Sequence, residues 1–193
     1  MKYNPFYADL PFRAQRDYVH STSLCNFLSD RFPGLTRLEL VLKHWMDSRV
    51  LFTPVDAVRP GEGTGYVKLQ GGGHDGIYEI SEDKTHPVSS RDTYDEDALV
   101  DVAALDRDAQ SLTCLPGAGG SFFDRLIAAN KVLINGCLDP GVKLIAAKVV
   151  TPGAPPDDTP FTLQLASHAG TRIFKSRLLI DDQPQGEVIF YGQ

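Results

Sequence analysis

SFFDRLIAANKVLINGCLDPGVKLIAAKVV, residues 121–150, reads as a helix that stops and a strand that starts. Ser121 is a good N-cap, and Asp124 stands three residues on, where a capping-box acid reaches back to the cap. Behind them Phe123, Leu126, Ile127, Leu133, Ile134 and Cys137 recur at helical spacing, so one face is apolar and must be covered. Asn135-Gly136 and Asp139-Pro140-Gly141 end the run. The strand at 142–150 opens a series, continued at 161–166, 172–180 and 187–191, with the Pro-rich loop 152–160 and turns at Gly170 and 181–186 between them.

The other half of the chain repeats this order. From Ser21 or Ser23 as N-cap, Leu24, Phe27, Leu28 and Phe32 mark a helix of about three turns that Pro33-Gly34 stops. Residues 36–43 then alternate, with Leu38, Leu40 and Leu42 on one face and Arg37, Glu39 and Lys43 among those on the other. Period two predicts a half-buried strand. Further strands are predicted at 49–55, 65–70 and 76–81, with Gly71-Gly72-Gly73 as a turn. Before the helix, residues 1–16 carry Pro5, Pro11 and the aromatics Tyr3, Phe6, Tyr7 and Phe12, which reads as an extended arm. The polar stretch 82–97, EDKTHPVSSRDTYDED, shows neither period and reads as a surface connection. Beyond it, 98–105 and 111–115 flank Asp106-Arg107-Asp108 as a hairpin, with a short helix at 96–104 as the alternative.

Residues 20–81 and 119–193 thus share one element order, a helix, a Pro-Gly and four strands. Pro33-Gly34-Leu35-Thr36-Arg37-Leu38 lines up with Pro140-Gly141-Val142-Lys143-Leu144-Ile145, and Gly76-Ile77-Tyr78-Glu79-Ile80 with Gly186-Glu187-Val188-Ile189-Phe190. This pattern resembles the hot-dog fold in its tandem form, the fold of acyl-thioester hydrolases and 3-hydroxyacyl dehydratases. The resemblance implies an α+β chain of two hot-dog-like halves, 1–97 and 98–193, each a helix packed on an antiparallel sheet, with sites formed between the copies. It is a resemblance of architecture: neither the dehydratases' Gly-His-Phe-Pro loop nor the hydratases' Asp-x-Asn-Pro-x-x-His pattern occurs.

Composition sets the outer bounds. With 193 residues, 42% hydrophobic and 23% charged, the chain can bury a core as one large or two closely packed small domains. The net charge of -6 and the lack of any Lys/Arg run argue against a nucleic-acid partner. No apolar run is long enough to span a bilayer, and the N-terminal stretch lacks a signal-type core, so a cytoplasmic protein is expected. Cys25, Cys114 and Cys137, an odd set without C-x-x-C spacing, are expected as free thiols.

Candidate site residues come from both helix entries. His20, with Asp17 three residues before it, can act as a base oriented by a carboxylate, or the group simply approaches a helix N-terminus. Gly117-Ala118-Gly119-Gly120-Ser121 leads into the second helix, whose Phe122 and Phe123 amides can polarise a thioester carbonyl, with Asp124 as a further acid–base candidate; the plainer reading is a flexible helix entry. Asn130 interrupts the apolar face, so it ties the helix to the sheet or lines a polar pocket. Asp92, Asp95, Glu96 and Asp97 read as a solvated acidic connector, and no His or acidic spacing marks a metal site. Trp45 reads as a core or interface aromatic. Two functions remain: an acyl-thioester-binding or -processing protein, taking acyl-CoA or an acyl-carrier thioester without cofactor or metal, or a non-catalytic module that pairs with itself, another protein or a small ligand.

Overall fold

The computed structural model describes residues 3–59, 63–117 and 119–193. Ala118, inside the glycine-rich helix entry, lies outside them. The chain runs β1 (Phe6–Ala8), β2 (Phe12–Arg13), α1 (Ser21–Arg31), β3 (Leu35–Leu42), β4 (Ser48–Val55), β5 (Gly65–Gly71), β6 (Gly76–Pro87) and β7 (Arg91–Asp92). A 3-10 turn at Ala98–Val100 follows, then β8 (Ala103–Asp106), β9 (Ser111–Cys114), α2 (Phe122–Leu138), β10 (Leu144–Thr151), β11 (Phe161–Ala169), β12 (Ile173–Ile180) and β13 (Gln183–Gly192). The class is α+β. Eleven strands form one sheet in the order β1-β4-β6-β5-β3-β10-β13-β12-β11-β9-β8, every neighbouring pair antiparallel.

Alternation puts one face of that sheet in the core. Leu38 and Leu40, Val50 and Phe52, Val67 and Leu69, Tyr78 and Ile80, Phe174 and Leu178, and Val188 and Phe190 are all buried. Both helices feed the same core, α2 through Phe122, Phe123, Leu126, Ile127, Leu133 and Ile134, and α1 through Leu24, Cys25 and Leu28. The α2 capping box forms as its sequence predicts: Asp124 donates its amide to the Ser121 hydroxyl, and its carboxylate accepts from the Ser121 amide. Asn135-Gly136 does not stop α2. The helix continues to Leu138 and ends at Asp139, φ 42°; a Cβ at Gly136 would meet the Leu105 side chain at 2.4 Å, so close packing is what that glycine serves.

The sheet is symmetric in places but not in connections. Within the eleven-stranded sheet each helix is preceded by a strand, β1 or β9, and followed by four; β3 and β10 pair at the centre, through Val41↔Lys148 to Leu38↔Thr151. Outward from that seam the first set runs β3-β5-β6-β4 and the second β10-β13-β12-β11. The expected like-for-like superposition therefore fails at the two inner strands, which the chain visits in opposite order. Antiparallel pairing constrains direction, and either order satisfies it.

Three local expectations are corrected. The cap of α1 is His20, with Ser21 and Ser23 inside the helix and no side-chain cap. Residues 82–87 continue β6 instead of leaving the sheet: the segment pairs with β4 down to Ser48↔Pro87, beyond the core, where both faces are wet and alternation carries no signal. Residues 91–92 form a two-stranded parallel ribbon with β2, so the arm and the connector hold each other. The 98–115 region is the hairpin β8–β9, preceded by one 3-10 turn. All three cysteines are free. No helix is long and apolar enough to cross a membrane, among the described residues.

Candidate functional site

The pairing of β3 with β10 stops at Val41 and Lys148, and β10 bulges between Ala146 and Lys148. Past that point the strands part, and a cleft of about 60 Å³ opens between them. Leu42 to Trp45 form one wall and Leu144 to Ala147 the other, with Tyr191 and Gln193 beyond. Val19, His20 and Ser21 bring the entry of α1 to it, and Lys131 comes from α2. The Val19 amide donates to the Met46 carbonyl at 2.7 Å, which fixes the α1 entry against the β3–β4 loop. Each of the two helices thus reaches the seam. Trp45 is not core: it is 39% exposed at the cleft, its ring 4.3 Å from that of Tyr18.

His20 is 4% exposed, and its Nδ1 is 2.8 Å from the Thr22 hydroxyl. Its Nε2 has no hydrogen-bond partner among the described residues. Burial lowers its pKa well below the ordinary value, and the cations Arg16, Lys131 and Arg13 lower it further, so the ring is neutral at pH 7. No side chain caps α1 and no acid stands in its first turn, so the helix presents backbone amides that its own side chains do not satisfy. A neutral imidazole and an uncapped helix N-terminus meet at one cleft.

The other helix entry is built differently. The Phe122 amide donates to the Asp157 carboxylate at 3.0 Å, and the Asp124 amide is held by Ser121, so the amides expected to polarise a carbonyl include one already engaged by protein. Phe122 and Phe123 are buried in the core. Gly120, at φ +80°, lies against Leu99, and Gly119 touches nothing near its Cβ position. Asp124 is ion-paired with Arg13, whose guanidinium lies 4.7 Å over the Tyr94 ring. Asp124 and Gly120 line a separate recess with Arg13 and Tyr94, and none of residues 119 to 124 lines the cleft; the Tyr94 ring, 5.5 Å from that of His20, stands between the two. Asp17 is exposed on a neighbouring recess, and Thr22, not Asp17, orients His20.

Asn130 is fully buried, as its apolar neighbours predict, yet neither its Nδ2 nor its Oδ1 is hydrogen bonded. Among the described residues neither the sheet nor a pocket side chain supplies it with a partner. Its neighbour Lys131 matters more. Lys131 Nζ binds both oxygens of Glu96 at 2.6 and 2.9 Å, and Arg16 binds the same carboxylate at 2.7 Å. The acidic connector is therefore not simply solvated: Glu96 is drawn in as the counter-ion of two cations near His20. Lys131 sits at the border of the apolar face of α2, which is the one sequence signal that would have singled it out; Thr22 and Glu96 gave none. Among the described residues no cluster could hold a metal ion.

Arg125 shows how α2 is anchored away from the cleft. Its side chain is fully buried and donates to the Asp157 and Thr159 carbonyls, the latter at 2.9 Å, pinning the loop before β11. That loop then supplies the Asp157 carboxylate to Phe122. The second helix entry is closed by this arrangement and the first is not.

No protein-family model matches the sequence, and neither does any curated protein sequence. Solved structures do match over the whole chain. A protein assigned as a thioesterase II from Thermobifida fusca YX superposes with a TM-score of 0.53 at 10% identity, over 99% of this chain and 93% of that one. A protein assigned as a thioesterase from Novosphingobium aromaticivorans DSM 12444 gives 0.50 at 8% identity, over 98% and 96%. At such identities the likeness is one of fold, and that fold is the hot-dog fold, helices packed on one face of a large antiparallel sheet.

Proposed function

We propose that the chain is two hot-dog units, 1–97 and 98–193, with one acyl-thioester site at the seam, and that it hydrolyses the thioester. The observation that carries this reading is His20: neutral, tethered at Nδ1, with Nε2 unpartnered at a cleft that also receives an uncapped helix N-terminus. In the proposed reaction the carbonyl oxygen faces the amides of the first turn of α1, where the helix dipole favours developing negative charge. His20 Nε2 takes a proton from water as the oxygen bonds to the carbonyl carbon; the C–S bond then breaks and the thiolate leaves with that proton. The thioesterase assignments of the two similar structures support the same substrate class. Asp124 and the Gly119 to Phe123 entry act structurally in this reading, and Asp17 stands at the rim. A binding-only role draws on one observation, that among the described residues a hydroxyl, Thr22, and not a carboxylate stands behind His20.

Release of free thiol from butyryl and acetyl thioesters tests the proposal. Hydrolysis by the wild type and a loss of about 100-fold or more in His20→Gln are expected for a general base. Thermal protection by the thioester without hydrolysis gives the binding-only role. Hydrolysis undiminished in His20→Gln overturns the assignment.

A further inference from the structure

We propose that the recess beside the cleft, walled by Arg16, Lys131 and Lys143, is an anion subsite, and that the thioester it serves carries a carboxylate on its acyl part. The inference rests on the reading of the cleft as a thioester site. Lys131 lines both cleft and recess, and its ammonium is held on the Glu96 carboxylate. The cleft, about 60 Å³, has room for about two water-sized groups, enough for the reacting carbonyl and little else. The adjoining recess, about 440 Å³, must take the remainder of the ligand.

The walls of the recess are mixed. Ala14, Tyr18, Val142 and Leu144 give it apolar surface for a short hydrocarbon stretch, while Arg16, Asp17, Lys131 and Lys143 bring charge, which a polar end on the ligand would meet better than a plain alkyl chain. Charge then selects the sign. Three cations line the recess with one carboxylate, Asp17; the only other side-chain carboxylate paired with them among the described residues, Glu96, lies behind the lining and is divided between Arg16 and Lys131. Lys143 makes no ion pair among the described residues; its ammonium lies 4.3 Å over the Trp45 ring and 5.3 Å over that of Tyr18. One positive side-chain charge is left over, on the exposed Lys143, where an anion bound to Lys131 and Lys143 would complete the balance. The Lys131 pKa, lowered by burial despite Glu96, agrees with an ammonium short of counter-charge.

The anion has two conceivable sources, a carboxylate of the acyl part or a phosphate of the thiol part, and thioesters of N-acetylcysteamine separate them because that thiol carries no phosphate. In thermal-shift titrations of the whole protein, the succinyl thioester is expected to bind about tenfold or more tighter than the butyryl thioester of equal carbon count. Lys143→Met, at an exposed position, should cut that ratio by about tenfold, the effect of one lost charge-assisted hydrogen bond. Equal affinity for the two, with phosphopantetheine binding tighter than pantetheine in the wild type but not in Lys143→Met, would overturn the acyl assignment and give the subsite to a phosphate. Equal affinity within both pairs would overturn the subsite and leave the thioester cleft standing. Protection by free succinate where neither thioester binds would keep the subsite and remove the thioester reading, and protection by none of these ligands would overturn both.

Discussion

The Nδ1 of His20 lies 2.8 Å from the hydroxyl of Thr22, so the residue that caps α1 is tethered by the first turn of the helix it caps. Both side chains are buried, and the tether leaves Nε2 as the ring nitrogen without a hydrogen-bond partner among the described residues. Thr22→Val keeps the shape and removes the partner. It is expected to lower kcat for thioester hydrolysis with little change in KM, because a loosened ring loses its near-attack geometry while the cleft is unaltered. Stability should fall by about 1 kcal/mol, the net value of one hydrogen bond. A change confined to KM would mean that Thr22 serves the pocket wall and not the imidazole.

Stability should depend on pH through His20. Its folded pKa is depressed, first by burial and then by Arg16, Lys131 and Arg13, while the unfolded chain takes up a proton near 6.5. Above 6.5 both states are neutral at this position. As pH falls below 6.5, the unfolded state binds the proton and the folded state does not, so stability is lost at up to about 1.4 kcal/mol per pH unit until the depressed folded value is reached. Urea midpoints measured between pH 7.5 and 5.5 should fall more steeply for the wild type than for His20→Gln. Parallel curves would show that the ring protonates as readily folded as unfolded.

Asn130 makes no hydrogen bond among the described residues at zero exposure, and this reverses the usual expectation for a buried amide. Asn130→Leu, of similar volume, should be neutral or stabilise by about 1 to 2 kcal/mol, since it removes two unsatisfied polar atoms from an apolar face. Chemical denaturation measures this directly. A loss of more than about 1 kcal/mol would show that the amide has a partner in solution, whether protein or water.

Helix α2 was legible almost residue by residue, because its capping box, apolar stripe and αL stop are encoded within a few positions of one another. The central strands were legible for the same reason, each carrying its own alternation. His20 could be singled out, but its partner could not. A hydroxyl two residues on and a carboxylate three residues before are equally near in sequence, and the folded backbone chose Thr22. The 82–87 end of β6 was misread because exposed residues on both faces erase the period-two signal.

The sequence by itself determined most of the helix and strand segments, that two helix-and-four-strand sets recur, and which face each of them buries. Those properties follow from short-range periodicity and capping, and each residue reports them through its immediate neighbours. Only the tertiary structure decided the order of the inner strands, the closing of one helix entry by Asp157 and Arg125, and the gathering of Lys131, Arg16 and Glu96 beside His20. These contacts join residues tens of positions apart, and a charge carries no local mark of the counter-charge it will meet. Which helix N-terminus stays open was therefore settled by the loop before β11, which closes the entry of α2, while the entry of α1 meets the seam where β3 and β10 pair for four residues and then part.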